Sequence, residues 1–149
     1  MSKIVEIARQ EIGTIEEPPN SNKTKYGVWF GLNGVAWCGI FVSWCYAMAD
    51  EKLPNIGFKK GFAGCQTGHA YFKKMGWITD KPVAGDIVLY DWNGDGRFDH
   101  TGIFVEWITN ISFSAIEGNT AIGNDSNGGK VMLRTDRTKQ KAIFVHVPQ

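Results

Sequence analysis

Residues 34–45 read GVAWCGIFVSWC and place a cysteine, Cys38, where an irregular segment becomes a strongly apolar helix. The turn signal Asn33-Gly34 begins this segment, and the apolar pattern continues to about Ala49. A helix that is apolar nearly all round belongs at the centre of a domain. A thiol at its start meets unpaired backbone N–H groups and the positive end of the helix dipole, which both favour the thiolate. Cys38 is therefore a candidate nucleophile.

The other cysteines are predicted to be structural. The N-terminus mixes charges among its apolar positions, so we expect a protein made without a secretion signal, and three cysteines then argue against a disulfide framework. Cys45 lies two helical turns beyond Cys38, about 10 Å of rise, which exceeds the reach of a disulfide. Cys65 opens a shorter helix with no base near it. The alternative for Cys38 is that it too is a small buried hydrophobic residue.

The regions on either side of this helix predict an α+β fold. An amphipathic helix is expected over residues 2–12, capped by Ser2 and stopped by Gly13, and a short one over 65–74, ended by Gly76. Short β-branched and aromatic runs follow at residues 86–90, 101–107, 111–117, 131–134 and 142–147. Helices first and strands second favour N-terminal helices packed on a C-terminal antiparallel sheet.

Composition and charge exclude several classes of protein. The 149 residues predict one domain, and 43% hydrophobic with 21% charged residues is typical of a packed core, not of disorder. The net charge of +1 argues against a nucleic-acid partner. Residues 26–49 carry no charged side chain, but several glycines interrupt them, so we expect a buried core and no membrane insertion.

A thiolate nucleophile needs a general base, and the chain has three histidines. His100 opens a predicted strand beside a polar loop, which is a rigid place to hold a base. We expect His69 and His146 to be structural. If the strand of His100 pairs with the next one through a tight turn, Glu117 or Asn119 can lie beside the imidazole and orient it. The alternative is that both are ordinary turn residues at the end of a strand.

Four motifs in this order resemble the CHAP family, which comprises cysteine- and histidine-dependent amidohydrolases and peptidases of phage endolysins and bacterial wall hydrolases. The motifs are WCGIFVSW at 37–44, PVAGDIV at 82–88, DHTGI at 99–103 and IEGN at 116–119. The resemblance runs from about Gln10 to Val147, so it covers nearly the whole chain. It implies a papain-like α+β fold and cleavage of amide bonds in bacterial peptidoglycan, by an amidase or an endopeptidase reaction.

The resemblance also implies roles for individual residues. Cys38 takes the place of the nucleophile, His100 of the base, Glu117 of the orienting acid and Asn119 of a supporting polar residue. Phage lysins of this kind lack a signal peptide and reach the wall through a holin. We therefore expect synthesis in the host cytoplasm, lysis of Gram-positive cells after such release or on external application, and any wall-binding domain or subunits outside this chain.

The loop before His100 has the spacing of a calcium site. Residues 91–99 follow the pattern D-x-N-x-D-G-x-x-D, with oxygen donors at alternate positions and glycine at the sixth. The expected ligands are the side chains of Asp91, Asn93, Asp95 and Asp99 and the carbonyl of Arg97. The twelfth position is Gly102, so the usual bidentate glutamate is absent. The alternative is a polar hairpin tip in which Asp and Asn form their own turns.

Two competing functions follow from the same residues. One is another papain-like Cys-His amidohydrolase or protease, and the other is a non-catalytic, calcium-stabilised module that binds the cell wall. Residues 130–141 add a basic segment, which we expect to be a solvated strand edge, with attraction to an anionic wall as the alternative. Its basic residues are Lys130, Arg134, Arg137, Lys139 and Lys141.

Overall fold

A computed structural model describes residues 2–148, in which four α-helices precede six strands. The helices are α1 (Lys3–Gln10), α2 (Lys25–Phe30), α3 (Cys38–Met48) and α4 (Cys65–Met75). The strands are β1 (Ile78–Thr79), β2 (Ile87–Tyr90), β3 (His100–Trp107), β4 (Ser112–Thr120), β5 (Lys130–Thr138) and β6 (Ala142–Val145), with a 3-10 turn at Lys139–Lys141. The expected α+β fold, with N-terminal helices and a C-terminal antiparallel sheet, is confirmed.

Two of the predicted helix signals act as expected, but Gly13 does not stop the first helix. Helix α1 ends at Gln10 with Glu11 as its C-cap, and the Gly13 N–H donates to the Val131 carbonyl at 3.0 Å. The Ser2 hydroxyl accepts a hydrogen bond from the Val5 N–H at 3.2 Å and so caps α1. Gly76 ends α4 with a φ of 75°, a left-handed conformation that favours glycine. Helix α2 and strand β1 were not predicted, because six and two residues are too short to show a periodic pattern.

The sheet is antiparallel throughout, in the order β1-β6-β2-β3-β4-β5. The expected tight turn joins β3 to β4, and the Ile108 N–H donates to the Ser112 carbonyl across it at 2.9 Å. Strand β4 continues to Thr120, three residues past its predicted end, so Glu117 and Asn119 lie within a strand. The register sets His100 directly opposite Tyr90 of β2.

The sheet has two covered faces. Helix α3 packs on the face of β3 and β4 that carries Ile103 and Ile116. A Cβ atom on Gly118 would lie only 2.7 Å from Phe41 of α3, so this close approach requires glycine. The opposite face holds an aromatic cluster that was not predicted. Its buried members are Val88, Tyr90, Phe104, Phe113, Ala115 and Phe144.

Among residues 2–148, no helix has the length and apolar character that crossing a membrane would demand. The uncharged segment 26–49 instead contributes α2 and α3, which pack against each other.

Candidate active site

Cys38 is the first residue of α3, as the sequence predicts. The residue before it, Trp37, provides no side-chain hydrogen bond to the helix N-terminus, so the first-turn N–H groups face the site without a cap. The Trp37 indole is fully buried and donates to a Glu16 carboxylate oxygen at 2.9 Å, which anchors the segment entering the helix. The Cys38 thiol is thus fixed at the positive end of a buried helix.

His100 is held at the beginning of β3 and is completely buried. Its Nε2 lies 2.9 Å from a Glu117 carboxylate oxygen, so it donates to that acceptor. The ring stacks on Tyr90, its partner in the register, with 5.7 Å between the ring centroids. The other nitrogen, Nδ1, is the one buried side-chain nitrogen or oxygen in the described part of the chain that has no hydrogen-bond partner. It is therefore available for a reacting group.

Cys38 and His100 act on each other electrostatically. A hydrogen bond from Cys65 and the nearby His100 lower the pKa of the Cys38 thiol well below its usual range, against the effect of burial. Burial lowers the pKa of His100, but the charges of Glu117 and of the Cys38 thiolate outweigh it and raise that pKa to about 9. Nδ1 has no hydrogen-bond partner of ordinary geometry, yet the thiol and the imidazole lie close enough for each to shift the pKa of the other. The pair favours a thiolate and an imidazolium.

Glu117 is the buried centre of a hydrogen-bond network. Besides His100, it accepts hydrogen bonds from Arg137, through Nη2 at 2.6 Å and Nε at 2.8 Å, and from the Tyr90 hydroxyl at 2.7 Å. Burial raises the pKa of Glu117, but Arg137 and His100 lower it to about 2. A carboxylate held on both oxygens keeps its charge and fixes the imidazole in one orientation.

Arg137 and Tyr90 are the parts of this network that sequence reasoning missed. The expectation of a solvated basic edge is wrong for Arg134 and Arg137, which are only 2% and 3% exposed. The guanidinium of Arg137 also lies over the ring of Trp92, with its carbon 4.9 Å from the ring centroid, and donates to Asp125 at 3.0 Å. The sequence did contain an indication of this role for Arg137. A buried orienting carboxylate needs a cation, and β5 is the nearest basic segment.

Comparison with known proteins identifies the family of this chain. A family model described as the CHAP domain matches residues 30–119, a range that includes Cys38, His100, Glu117 and Asn119. The chain belongs to the CHAP family. A search among curated proteins gave no match. Membership makes the protein a cysteine- and histidine-dependent amidohydrolase or peptidase.

Asn119 lies in the CHAP domain but makes its hydrogen bonds away from His100. Its side-chain oxygen accepts from the Gly129 N–H at 3.0 Å, and its amide group donates weakly to Asn127 at 3.4 Å. The backbone at Asn119 has a φ of 60°, at a point where the register between β4 and β5 shifts between Glu117 and Thr120. These contacts join the ends of the loop between β4 and β5, and neither of them reaches His100.

The calcium-like loop of the CHAP domain is exposed and closed by its own backbone. One Asp91 carboxylate oxygen accepts from the N–H groups of Gly94 and Asp95 at 2.9 and 3.2 Å, and the other from Gly96 at 2.8 Å. Over the described residues, no three His, Cys, Asp or Glu side chains converge as a metal site. The oxygen donors suit a hard cation chemically, but their present arrangement is that of a closed polar turn.

The remaining histidines and cysteines have separate environments. His146 is exposed and lies 2.7 Å from an Asp86 carboxylate oxygen, whereas His69 of α4 packs its ring against Phe98. Cys45 is buried within α3, and burial raises its pKa well above the usual value. Cys65, which we expect from the sequence to be structural, lies with its sulfur 3.8 Å from that of Cys38.

Proposed function

We propose that this CHAP domain hydrolyses amide bonds in bacterial peptidoglycan, with Cys38 as nucleophile, His100 as general acid and base, and Glu117 as orienting acid. The observation that carries the proposal is the arrangement of the imidazole. Its Nε2 is fixed by Glu117 at 2.9 Å, while its buried Nδ1 has no partner within the described residues. A free, correctly oriented nitrogen next to a thiolate at a helix N-terminus is what covalent amide hydrolysis needs.

The first half of the reaction forms an acyl-enzyme. The Cys38 thiolate attacks the amide carbonyl carbon, and the carbonyl oxygen becomes an oxyanion. The uncapped N–H groups at the start of α3 are suited to stabilise this charge. The His100 imidazolium then gives its Nδ1 proton to the amide nitrogen, the C–N bond breaks, and the amine leaves. A thioester to Cys38 and a neutral imidazole remain.

The second half releases the acid product and restores the ion pair. Neutral His100 takes a proton from water while the water oxygen attacks the thioester carbon. The tetrahedral intermediate collapses with cleavage of the C–S bond, which gives a carboxylic acid, the Cys38 thiolate and the imidazolium. Throughout the cycle Glu117 keeps its charge, because Arg137 and Tyr90 hold both of its oxygens.

Clearing of purified Gram-positive cell walls tests the proposal. The wild-type protein should reduce wall turbidity, Cys38→Ser should not, and Cys45→Ser should clear as the wild type does. Cys45 is a matched control because it is a buried cysteine of the same helix. Mass spectrometry of the released fragments then separates the two reactions: an amidase frees the lactyl carboxylate of muramic acid, and an endopeptidase frees a carboxylate within the peptide.

The same experiment distinguishes the competing functions. A wall-binding module would bind walls equally with and without Cys38 and would release no fragments. A protein-directed peptidase would cleave protein substrates in a Cys38-dependent way and leave walls intact. We further propose that the domain acts at the wall as a phage endolysin does, after holin-type release or external application, together with any binding domain or subunits that belong to the whole assembly.

We also propose that the loop of residues 91–99 binds Ca²⁺. The donors are the side chains of Asp91, Asn93, Asp95 and Asp99 and the carbonyl of Arg97. Support comes from the chemistry of these oxygens and from the exposure of most of the loop. A carboxylate oxygen that accepts one or two backbone N–H groups can still bind a cation, although the loop must rearrange for the donors to converge. The ion would order the segment that leads into His100.

A further inference from the structure

A second thiol lies beside the nucleophile. Cys65 Sγ is 3.8 Å from Cys38 Sγ, both cysteines are free, and they are only 7% and 5% exposed. Each is the first residue of an eleven-residue helix, α4 and α3 respectively, and neither helix has a side-chain cap at its N-terminus. At this separation one sulfur can donate its S–H and the other can accept it.

The packing of the two helices fixes this separation. Phe62 lies between them, at positions where each helix has a glycine. A Cβ atom on Gly39 of α3 would be 3.0 Å from the Phe62 ring, and one on Gly68 of α4 would be 2.9 Å from it. The Ser43 hydroxyl of α3 also accepts the Phe62 N–H at 3.1 Å. The packing of Phe62 against both helices therefore holds the two helix N-termini at the separation that places the thiols in contact.

The position of His100 favours Cys65 as the donor. His100 lies near Cys38 and stabilises the Cys38 thiolate. The hydrogen bond with Cys38 and burial both raise the pKa of Cys65 well above its usual value. Cys65 thus keeps its proton while Cys38 loses its own.

We propose that Cys65 is a positioning residue that donates its S–H to the Cys38 thiolate and stabilises the nucleophile before substrate arrives. This inference rests on the proposed role of Cys38. Because Cys65 holds its proton more tightly than Cys38 does, it stabilises the negative charge without quenching it. The Cys65 thiol, the His100 imidazolium and a backbone hydrogen bond from Thr101 then all stabilise the charge of Cys38.

The test is the pH dependence of alkylation. Iodoacetamide reacts with thiolates, so the rate at which Cys38 is carboxamidomethylated, followed by peptide mass spectrometry, reports its ionisation. In Cys65→Ala the rise in rate should move to higher pH by about one unit or more, since a hydrogen bond to a charged group is lost. Cys65→Ser should move less, because its hydroxyl still donates. Cys45→Ala should match the wild type.

A profile for folded Cys65→Ala that coincides with that of the wild type would overturn the inference. A titration of the wild-type protein with ¹³Cβ-labelled cysteine covers the case in which the variant does not fold. Cys38 should then ionise at a clearly lower pH than Cys65, and equal or reversed midpoints would overturn the inference equally. Alkylation needs no peptidoglycan. A shifted profile in a protein that leaves walls intact would therefore refute the proposed substrate and keep the role of Cys65.

Discussion

The two polar regions next to His100 use similar residues in opposite environments. In the first region, Glu117 and Arg137 are 0% and 3% exposed and form a hydrogen-bonded ion pair. In the second region, the loop of residues 91–99 is largely exposed, and its Asp91 carboxylate accepts hydrogen bonds from neighbouring backbone N–H groups. A buried charge depends on every one of its partners, whereas an exposed one can exchange a partner for water. Substitutions in the buried Glu117–Arg137 pair should therefore have large effects on stability and activity, and substitutions in the exposed loop of residues 91–99 should have small ones.

The largest effect is expected from Glu117→Gln. The variant removes the buried counter-charge of Arg137 and leaves its guanidinium with only the partly exposed Asp125 and Asp136, which costs up to about 3–5 kcal/mol of unfolding free energy. For a domain of this size that lowers the Tm by roughly 6–20 °C. Wall hydrolysis should fall at least about 100-fold, since the imidazole loses its orienting charge. Calorimetry and turbidity assays measure both quantities.

Asp136→Asn is the matched control for this substitution. Asp136 is also a carboxylate paired with an arginine, Arg134, at 2.9 Å, but its side chain is 58% exposed. Its loss should cost less than about 1 kcal/mol and leave wall hydrolysis unchanged. Equal losses of stability in the two variants would show that burial does not govern the value of these ion pairs.

A smaller effect on stability and activity is expected from a substitution that places an extra carbon atom against Glu117 but leaves its charge in place. A Cβ atom on Gly102 would lie 2.5 Å from Cγ of Glu117 and 3.1 Å from the Ile116 carbonyl oxygen. Gly102→Ala should therefore push Glu117 away from His100 at a cost of about 1–3 kcal/mol, and lower kcat more than it raises KM. Gly94→Ala in the exposed loop is not a suitable control because its φ is 70°. Asn93→Ala avoids this strain and, assayed in calcium-free buffer with EDTA, should leave both kinetic constants unchanged.

The pH dependence of activity and of stability tests the interaction of His100 with the buried Glu117. Activity should fall as pH rises through about 9, because His100 then loses the proton that the leaving amine needs. The pKa of His100 is raised above its ordinary value of 6.5, so its contribution to stability is complete below pH 6.5 and is lost as pH passes about 9. Activity and Tm measured from pH 6 to 10 should decline together. In Glu117→Gln the decline in activity should begin at lower pH. A decline at the same pH as in the wild type would contradict the role of Glu117.

Sequence patterns predicted the elements of this fold better than its polar contacts. The apolar pattern around Cys38 and the strand of His100 follow from local periodicity, so both were placed correctly. The contact between Cys38 and Cys65 depends on how Phe62 packs between two helices. No local sequence pattern encodes the distance between the two sulfur atoms. The burial of Arg137 likewise depends on the pairing of β5 with β4, since five basic residues in twelve positions look like a solvated edge until their strand partner is known. Chemistry that depends on tertiary packing was therefore the part that sequence reasoning missed.

The smallest effects are expected in the loop of residues 91–99. Without calcium, Asp95→Asn should change the unfolding free energy by no more than about 0.5 kcal/mol, because Asp95 is exposed. If Ca²⁺ binds there, free ion at ten times its Kd adds about 1.4 kcal/mol, or roughly 3–6 °C in Tm, to the wild type and much less to the variant. Melting curves in CaCl₂, in MgCl₂ and in EDTA measure this directly. Identical melting curves of the wild-type protein in CaCl₂ and in EDTA would contradict the proposed calcium site. They would leave the buried network untouched, because neither Glu117 nor Arg137 draws any partner from the loop's carboxylates.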